Sequence, residues 1–206
     1  MSGTIETSIA GQQETCKPTT SDILGPYYLE NAPRTNWICQ QRGHSSKKSR
    51  DIVVEGRILD ENCRPLPKAR IEIWQAGADG KYSSKFECRG HLFSDDDGQY
   101  AFITVRPGKY TMDDEFRPAH IHYRIVKPLF STLVTQLYFS GDSSLGEKDA
   151  CAVCHSGSSD LVTPIMDSCD TLDGGGECCI ATAHFDIVLA RINGTLADAK
   201  VSDKQK

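Results

Sequence analysis

The sequence predicts an all-β protein: a β-sandwich of mainly antiparallel strands with long, disulfide-stapled loops. Three observations carry this. Apolar residues fall in many short runs, separated by turn clusters such as Asp60-Glu61-Asn62, Pro65-Leu66-Pro67 and Asp95-Asp96-Asp97-Gly98. No stretch holds a helical apolar period of useful length, and there is no internal repeat. Nine cysteines are present, and five of them lie between Gly141 and Ile180 in a Gly/Ser/Asp-rich segment. A structureless loop of that length needs staples.

The strands are read in order. Ile52–Leu59 and Ala69–Gln75 come first, with Val53, Ile71 and Ile73 alternating with polar neighbours as half-buried strands do. Gln99–Val105 follows the Asp95–Gly98 turn. Ala119–Lys127, Leu133–Ser140 and Ala183–Ile192 complete the set. Many short strands between turn clusters favour two packed sheets. Residues 1–24 read as a polar lead, 25–193 as the folded domain and 194–206 as a polar tail, with both ends expected to be mobile.

A chain of 206 residues can bury a substantial single core. Its formal net charge is −5, so no broad basic footprint for nucleic acid is present. The basic run from Arg42 to Arg50 is short and reads as a solvated loop. No apolar stretch is long enough for a transmembrane helix, so no membrane partner is expected.

Chemistry concentrates in Arg117-Pro118-Ala119-His120-Ile121-His122. On a strand, residues two apart share a face, so both imidazoles project into one site. Imidazole suits zinc, copper, iron and nickel. A pair at this spacing is by itself commoner on a polar sheet face than at a metal. Tyr110 follows the Pro107-Gly108 turn, and Tyr82 follows the Asp79-Gly80 turn. Such rings are most often buried with the hydroxyl hydrogen-bonded, yet a phenolate also ligates iron. Two hard phenolates would favour Fe(III). A two-histidine, one-carboxylate site stays open on spacing, because Asp113, Asp114 and Glu115 are near.

Several spaced motifs then occur in one order. They are Gly25-Pro26-Tyr27-Tyr28, Ile71-Glu72-Ile73-Trp74-Gln75-Ala76, Gly80-Lys81-Tyr82-Ser83, Asp97-Gly98-Gln99-Tyr100 and Thr104–Tyr110. Arg117–His122, Thr135-Gln136-Leu137-Tyr138-Phe139-Ser140-Gly141-Asp142 and Phe185–Leu189 follow. In this order the chain resembles the intradiol ring-cleavage dioxygenases, the family of catechol, hydroxyquinol and protocatechuate dioxygenases. The resemblance implies one Fe(III) per chain, held by Tyr82, Tyr110, His120 and His122. Tyr110 and His122 would be its axial pair. It implies a catechol-type substrate and O2, with cleavage between the hydroxylated carbons to cis,cis-muconates. It places Arg117 beside the substrate to stabilise developing charge, with Gln136 near it, and gives Tyr110 a second role in taking a substrate proton. A β-sandwich binding module that keeps the scaffold without the chemistry is the other reading. Fold alone does not separate them.

Two departures from the family pattern stand out. Only a short lead precedes Gly25, and the connection from Tyr110 to Arg117 is brief. Both predict missing pocket walls, an open site and a monomer. The cysteines are Cys16, Cys39, Cys63, Cys88, Cys151, Cys154, Cys169, Cys178 and Cys179. A zinc knuckle from Cys151-x-x-Cys154 followed by Cys169 and Cys178-Cys179, which His155 could join, fits no common zinc spacing. Disulfides in an oxidising compartment fit better, with at least one thiol left over. Asn193-Gly194-Thr195 is a glycosylation sequon, which agrees with a secreted protein.

Overall fold

Two five-stranded sheets face each other, as the alternating runs predict. The computed structural model describes residues 15–39, 51–112, 115–171 and 177–192. The first sheet is organised around β1 (Asp51–Asp60). Along its length β1 pairs antiparallel with β4 (Gln99–Val105). On the other edge it runs parallel to β11 (Glu177–His184) and then to β12 (Ile187–Leu189). β10 (Ile165–Thr171) closes that side as an antiparallel partner of β11. The second sheet has the order β3-β2-β7-β8-β9. These strands are β2 (Arg70–Gln75), β3 (Arg89–Phe93), β7 (His120–Val126), β8 (Leu133–Phe139) and β9 (Val162–Thr163). A hairpin of β5 (Tyr110–Met112) and β6 (Glu115–Arg117) stands beside them. Among the described residues only two short 3-10 turns are helical, and no helix is long and apolar enough to cross a membrane.

The core lies between the sheets. Ile52, Val54, Ile58 and Phe102 meet Ile71, Ile73, Ile121, Tyr123, Ile125 and Leu137, all buried. Each such side chain contributes about 1.5–3 kcal/mol by leaving water. The sequence reading set Val53 on this face; the structure buries Ile52 and Val54 and leaves Val53 half-buried. With a side-chain period of two, only one set can point inward.

The stretch read as one strand, Ala183–Ile192, is two. The chain breaks at Phe185-Asp186, where the Phe185 carbonyl accepts the Tyr100 hydroxyl at 2.6 Å. That carbonyl also lies against Gly56, and a Cβ there would collide with it. The Gly141–Ile180 segment is likewise no single loop, because β9, β10 and the start of β11 fall within it. β10 was unreadable as a strand: Ile165–Thr171 is mostly polar and, among the described residues, takes its ladder from β11.

Three disulfides form among the described residues. Cys16–Cys63 and Cys39–Cys88 tie the N-terminal segment to the sandwich, and Cys151–Cys154 closes a tight turn. The cysteine-rich segment therefore holds one of the three, a second pins the lead through Cys16, and the third joins Cys39 to Cys88 within the folded domain. Cys151 and Cys154 being paired, a zinc knuckle has lost its first two ligands. The side chains of Cys169, Cys178 and Cys179, the Arg42–Arg50 run and Asn193 lie outside the described residues.

Candidate metal centre

β7 is buried on both faces, which a sandwich strand with one solvated face would not be. Ile121, Tyr123 and Ile125 enter the core. His120 and His122 point to the opposite face and are 3% exposed. What covers that face is the N-terminal segment. The Asp22 amide donates to the Val134 carbonyl, and the Thr135 hydroxyl donates to the Thr20 carbonyl. Pro26 and Tyr27 continue across the site. The residues read as a lead are thus part of the site's wall.

Register places the neighbours. His122 pairs with Trp74 on β2 and Gln136 on β8, and His120 pairs with Tyr138. The Trp74 ring stacks on His122 at 4.8 Å, fixing the imidazole plane. His120 is fixed differently, with Nδ1 2.7 Å from the Pro118 carbonyl oxygen. A carbonyl only accepts, so Nδ1 carries the hydrogen and Nε2 is a bare lone pair.

Tyr82 arrives on the loop between β2 and β3. It is brought in by contact between two turns. The Gly108 amide donates to the Gly77 carbonyl at 2.9 Å. A Cβ on Gly108 would meet the backbone of Gly80 and Ala78, so the two turns touch only because both positions are glycine. Tyr82 and Tyr110 each follow one of these glycines by two residues, and the contact delivers both rings to one place. Their centroids are 5.8 Å apart, edge to face.

Three donor atoms converge. The Tyr82 hydroxyl oxygen is 3.2 Å from His120 Nε2 and 3.0 Å from His122 Nε2, and the two Nε2 atoms are 3.2 Å apart. Burial drives His120 down to about 4, with the Arg117 charge adding to it, and holds His122 well below the usual histidine range. Both are therefore neutral at physiological pH. Burial also holds the Tyr82 phenol above its ordinary value. Three basic atoms about 3 Å apart, with few hydrogens among them, are a set that fits a cation. Donors on one ion sit at roughly this separation when each bond is about 2.0–2.1 Å. His122 Nδ1 is buried without a hydrogen-bond partner; the Ile23 backbone favours its charged form without meeting hydrogen-bond geometry.

Tyr110 borders the same cavity, its hydroxyl 2.7 Å from that of Tyr27. Tyr27 stacks on Tyr82 at 4.2 Å. The cavity itself is about 80 Å³, lined by Ile23, Tyr27, Met112, Arg117 and Cys151 together with the donors. Larger open grooves of about 830 and 900 Å³ lie elsewhere on the surface and contain none of these groups. The sequence predicted stripped walls and an open site. The lead and the cysteine-rich segment supply walls instead. The brief Tyr110–Arg117 connection is the β5–β6 hairpin, which sets Tyr110 directly opposite Arg117.

Arg117 and Gln136 do not share one role. Arg117 lines the cavity, buried, its Nε and Nη2 bonded to Asp149. Burial opposes its charge, but the Asp149 hydrogen bond and Tyr138 hold its pKa above the ordinary value. Gln136 lies behind it: its Oε1 accepts from Arg117 Nη2 at 3.1 Å, and its Nε2 donates to the Ile23 carbonyl at 2.9 Å. Gln136 therefore positions Arg117 and does not border the cavity. Among the described residues no cluster of histidine, cysteine and carboxylates could hold a metal, so no described carboxylate completes a two-histidine triad. Glu115 is exposed; Asp113 and Asp114 lie outside the described residues.

Residues 23–191 match the sequence profile of the dioxygenase family, named Dioxygenase_C. The chain belongs to the intradiol dioxygenase family. Its relatives include a catechol 1,2-dioxygenase of Candida albicans, 31% identical over 66% of this chain and 52% of that protein. A chlorocatechol 1,2-dioxygenase of Pseudomonas putida is 29% identical over 90% of this chain and 73% of its own length. Among solved structures, the catechol 1,2-dioxygenase of Acinetobacter radioresistens superposes with a TM-score of 0.74 at 25% identity, covering 88% of this chain and 65% of that one. The dioxygenase domain of a carbohydrate-binding fusion from Streptomyces sp. SirexAA-E gives 0.66 at 28% identity, covering 85% of this chain and all of that one. The chain spans about half the length of several relatives it matches.

Four members of the site were missed from sequence. Tyr27, Trp74 and Tyr138 stand inside quoted motifs, and that placement was the available signal. Asp149 gave none. It lies in the cysteine-rich segment, where composition reads only as loop.

Proposed function

We propose that this intradiol dioxygenase holds one Fe(III) on Tyr82, Tyr110, His120 and His122 and opens catechols between their hydroxylated carbons with O2, releasing cis,cis-muconates. The observation that carries it is the convergence of Tyr82 Oη, His120 Nε2 and His122 Nε2 within 3.2 Å inside a cavity bordered by Tyr110 and Arg117. Ferric iron, when bound, supplies the Lewis acidity and the template on which catechol and dioxygen meet. Both oxygen atoms enter the product, so no reductant or organic cofactor is needed.

The chain's own groups do the rest. A catechol sheds two protons as it binds; a solvent-derived hydroxide would accept one and the Tyr110 phenolate oxygen the other. The Tyr27 hydroxyl, 2.7 Å away, steadies that oxygen in either protonation state. Arg117 borders the cavity, and with Nε and Nη2 bonded to Asp149, Gln136 and Tyr138 its Nη1 is the nitrogen left without a protein partner among the described residues. A fixed guanidinium there stabilises negative charge gathering on the ring during reaction. Three disulfides among the described residues support an oxidising, extracellular setting.

The test is a visible spectrum followed by product analysis. Protein loaded with Fe(III) should show a tyrosinate charge-transfer band, and His122→Ala should lose iron and band together. Catechol and O2 should yield a muconate. A yellow semialdehyde, formed by cleavage beside the hydroxyls, would overturn the reading, and so would a colourless protein that binds no iron.

A further inference from the structure

A guanidinium has two edges, and only one can face a substrate. In this chain Asp149 takes the other. Its Oδ1 accepts from Arg117 Nε at 3.1 Å and its Oδ2 from Nη2 at 3.3 Å, a bidentate contact between side chains 1% and 5% exposed. Nη2 is also claimed by Gln136 Oε1 at 3.1 Å and the Tyr138 hydroxyl at 3.0 Å. Nη1 is the one nitrogen without a protein partner among the described residues. The carboxylate thus fixes which edge of Arg117 is taken and which is left free.

Asp149 comes from the cysteine-rich segment between β8 and β9, outside every motif that carries the family resemblance. The segment is clamped on both sides of it. The Asp149 amide donates to the Gly146 carbonyl at 3.0 Å. Oδ1 also accepts the Cys151 amide at 2.9 Å. Cys151 is bridged to Cys154, and the Cys154 amide returns to the Cys151 carbonyl at 3.1 Å. The next residue, His155, donates its amide to Asp22 Oδ2 at 3.0 Å, and the Tyr138 hydroxyl donates to that same oxygen at 2.8 Å. The turn closed by the disulfide therefore links two supports of Arg117, the buried Asp149 directly and the half-buried Asp22 through Tyr138.

We infer that Asp149 is a positioning residue for Arg117, held in place by the Cys151–Cys154 turn. The inference rests on the proposed catechol cleavage. Two effects compete. A paired carboxylate weakens the net field of the guanidinium, so its removal would strengthen charge stabilisation if orientation did not matter. Against this, an unpaired guanidinium in a buried site is strongly disfavoured. It would turn its free edge towards other acceptors and away from the substrate. The second effect is the larger, because the side chains are almost fully enclosed.

The test is Asp149→Asn, which keeps the shape and removes the charge. Iron content and the visible band should match the wild type, KM for catechol should stay within threefold, and kcat per bound iron should fall at least tenfold. A purely structural role would instead lower the melting temperature and iron loading while leaving kcat per iron within twofold, and that result overturns the inference. A rise in kcat per iron overturns it too. Should the variant fail to fold, Cys151→Ser/Cys154→Ser leaves Asp149 in place and loosens only its clamp. It should lose threefold or more in kcat per iron at unchanged KM, and an unchanged kcat would refute the clamp. Wild type run alongside separates the two readings. Muconate from wild type with an indifferent Asp149→Asn sinks only this inference, whereas a wild type without iron or cleavage sinks both.

Discussion

Gly108→Ala tests the turn contact that brings the two tyrosines together. A methyl group there would press on the Gly80 amide nitrogen, sit 2.6 Å from the Ala78 carbonyl oxygen and 2.9 Å from Gly80 Cα. All three are backbone atoms, so no side chain can swing aside. Restoring ordinary contact requires the turns to separate by roughly 1 Å. That movement strains the 2.9 Å hydrogen bond from the Gly108 amide to the Gly77 carbonyl. Forced overpacking costs about 1–3 kcal/mol. Against it, alanine restricts the unfolded chain and returns about 0.4–1 kcal/mol. The net is a loss of about 1–2 kcal/mol, or about 2–8 °C in Tm for a chain of this size. Scanning calorimetry reads the Tm, and the visible band of the iron-loaded protein reads the site. The expected result is a lower Tm together with a weakened or shifted band, because Tyr82 and Tyr110 move apart. Gly141→Ala is the control: its φ of +80° disfavours alanine, but nothing lies within 4 Å of the new methyl group. It should lose about 1–2 kcal/mol and keep the band unchanged. A Gly108→Ala protein with an unaltered Tm and spectrum would show that the two turns are not mechanically joined.

Three further outcomes follow from the same geometry. Arg117→Ala should retain iron and its band yet lose about 10²–10³ in kcat per iron, as removal of a charge-stabilising donor does; an unchanged rate constant in steady-state kinetics would show that the charge is met elsewhere. Cys16→Ser/Cys63→Ser opens a link across 47 residues, and the chain-entropy estimate for such a loop is about 4 kcal/mol. Urea unfolding should show a loss approaching that size, and a change below 1 kcal/mol would mean the N-terminal segment is pinned without the bridge. Burial opposes ionisation of Asp142, but hydrogen bonds from Lys109 and the Ser144 and Ala119 amides outweigh it and hold the carboxyl below the usual aspartate value. Its folded pKa being depressed, its contribution is complete above the ordinary aspartate pKa and is lost as pH falls through the lower folded value. Asp142→Asn should therefore flatten the acid limb of a Tm-against-pH curve, and an identical limb would refute the assignment.

What could be read from sequence and what could not divide along a physical line. β1, β2, β4, β7 and β8 were legible because each carries its own apolar run, whereas β3, β9 and β10 were not read: Gln99–Val105 matches β4 residue for residue, and the β7 and β8 readings differ from the structure by a residue at their ends. His120 and His122 were legible because a strand forces i and i+2 to one face whatever surrounds it. Tyr82 and Tyr110 were marked by glycine turns, but that those turns touch each other is a tertiary fact. The site's covering was invisible for a related reason. It is made of polar, irregular chain whose order comes from partners far away in sequence: Asp22 from Tyr138, His155 from Asp22 and Ser21, Asp149 from Arg117. None of these segments has a period, so local pattern reads them as lead or loop. This division bears on function. The proposed iron ligands sit on or beside the periodic scaffold, where the family resemblance is also carried. The groups that orient Arg117 and wall the cavity come from the lead and the cysteine-rich segment. Reaction type should therefore follow the scaffold and vary little within the family. Ring preference and the placement of Arg117 should follow the irregular segments, and these are the parts this chain ties down with Cys16–Cys63 and Cys151–Cys154.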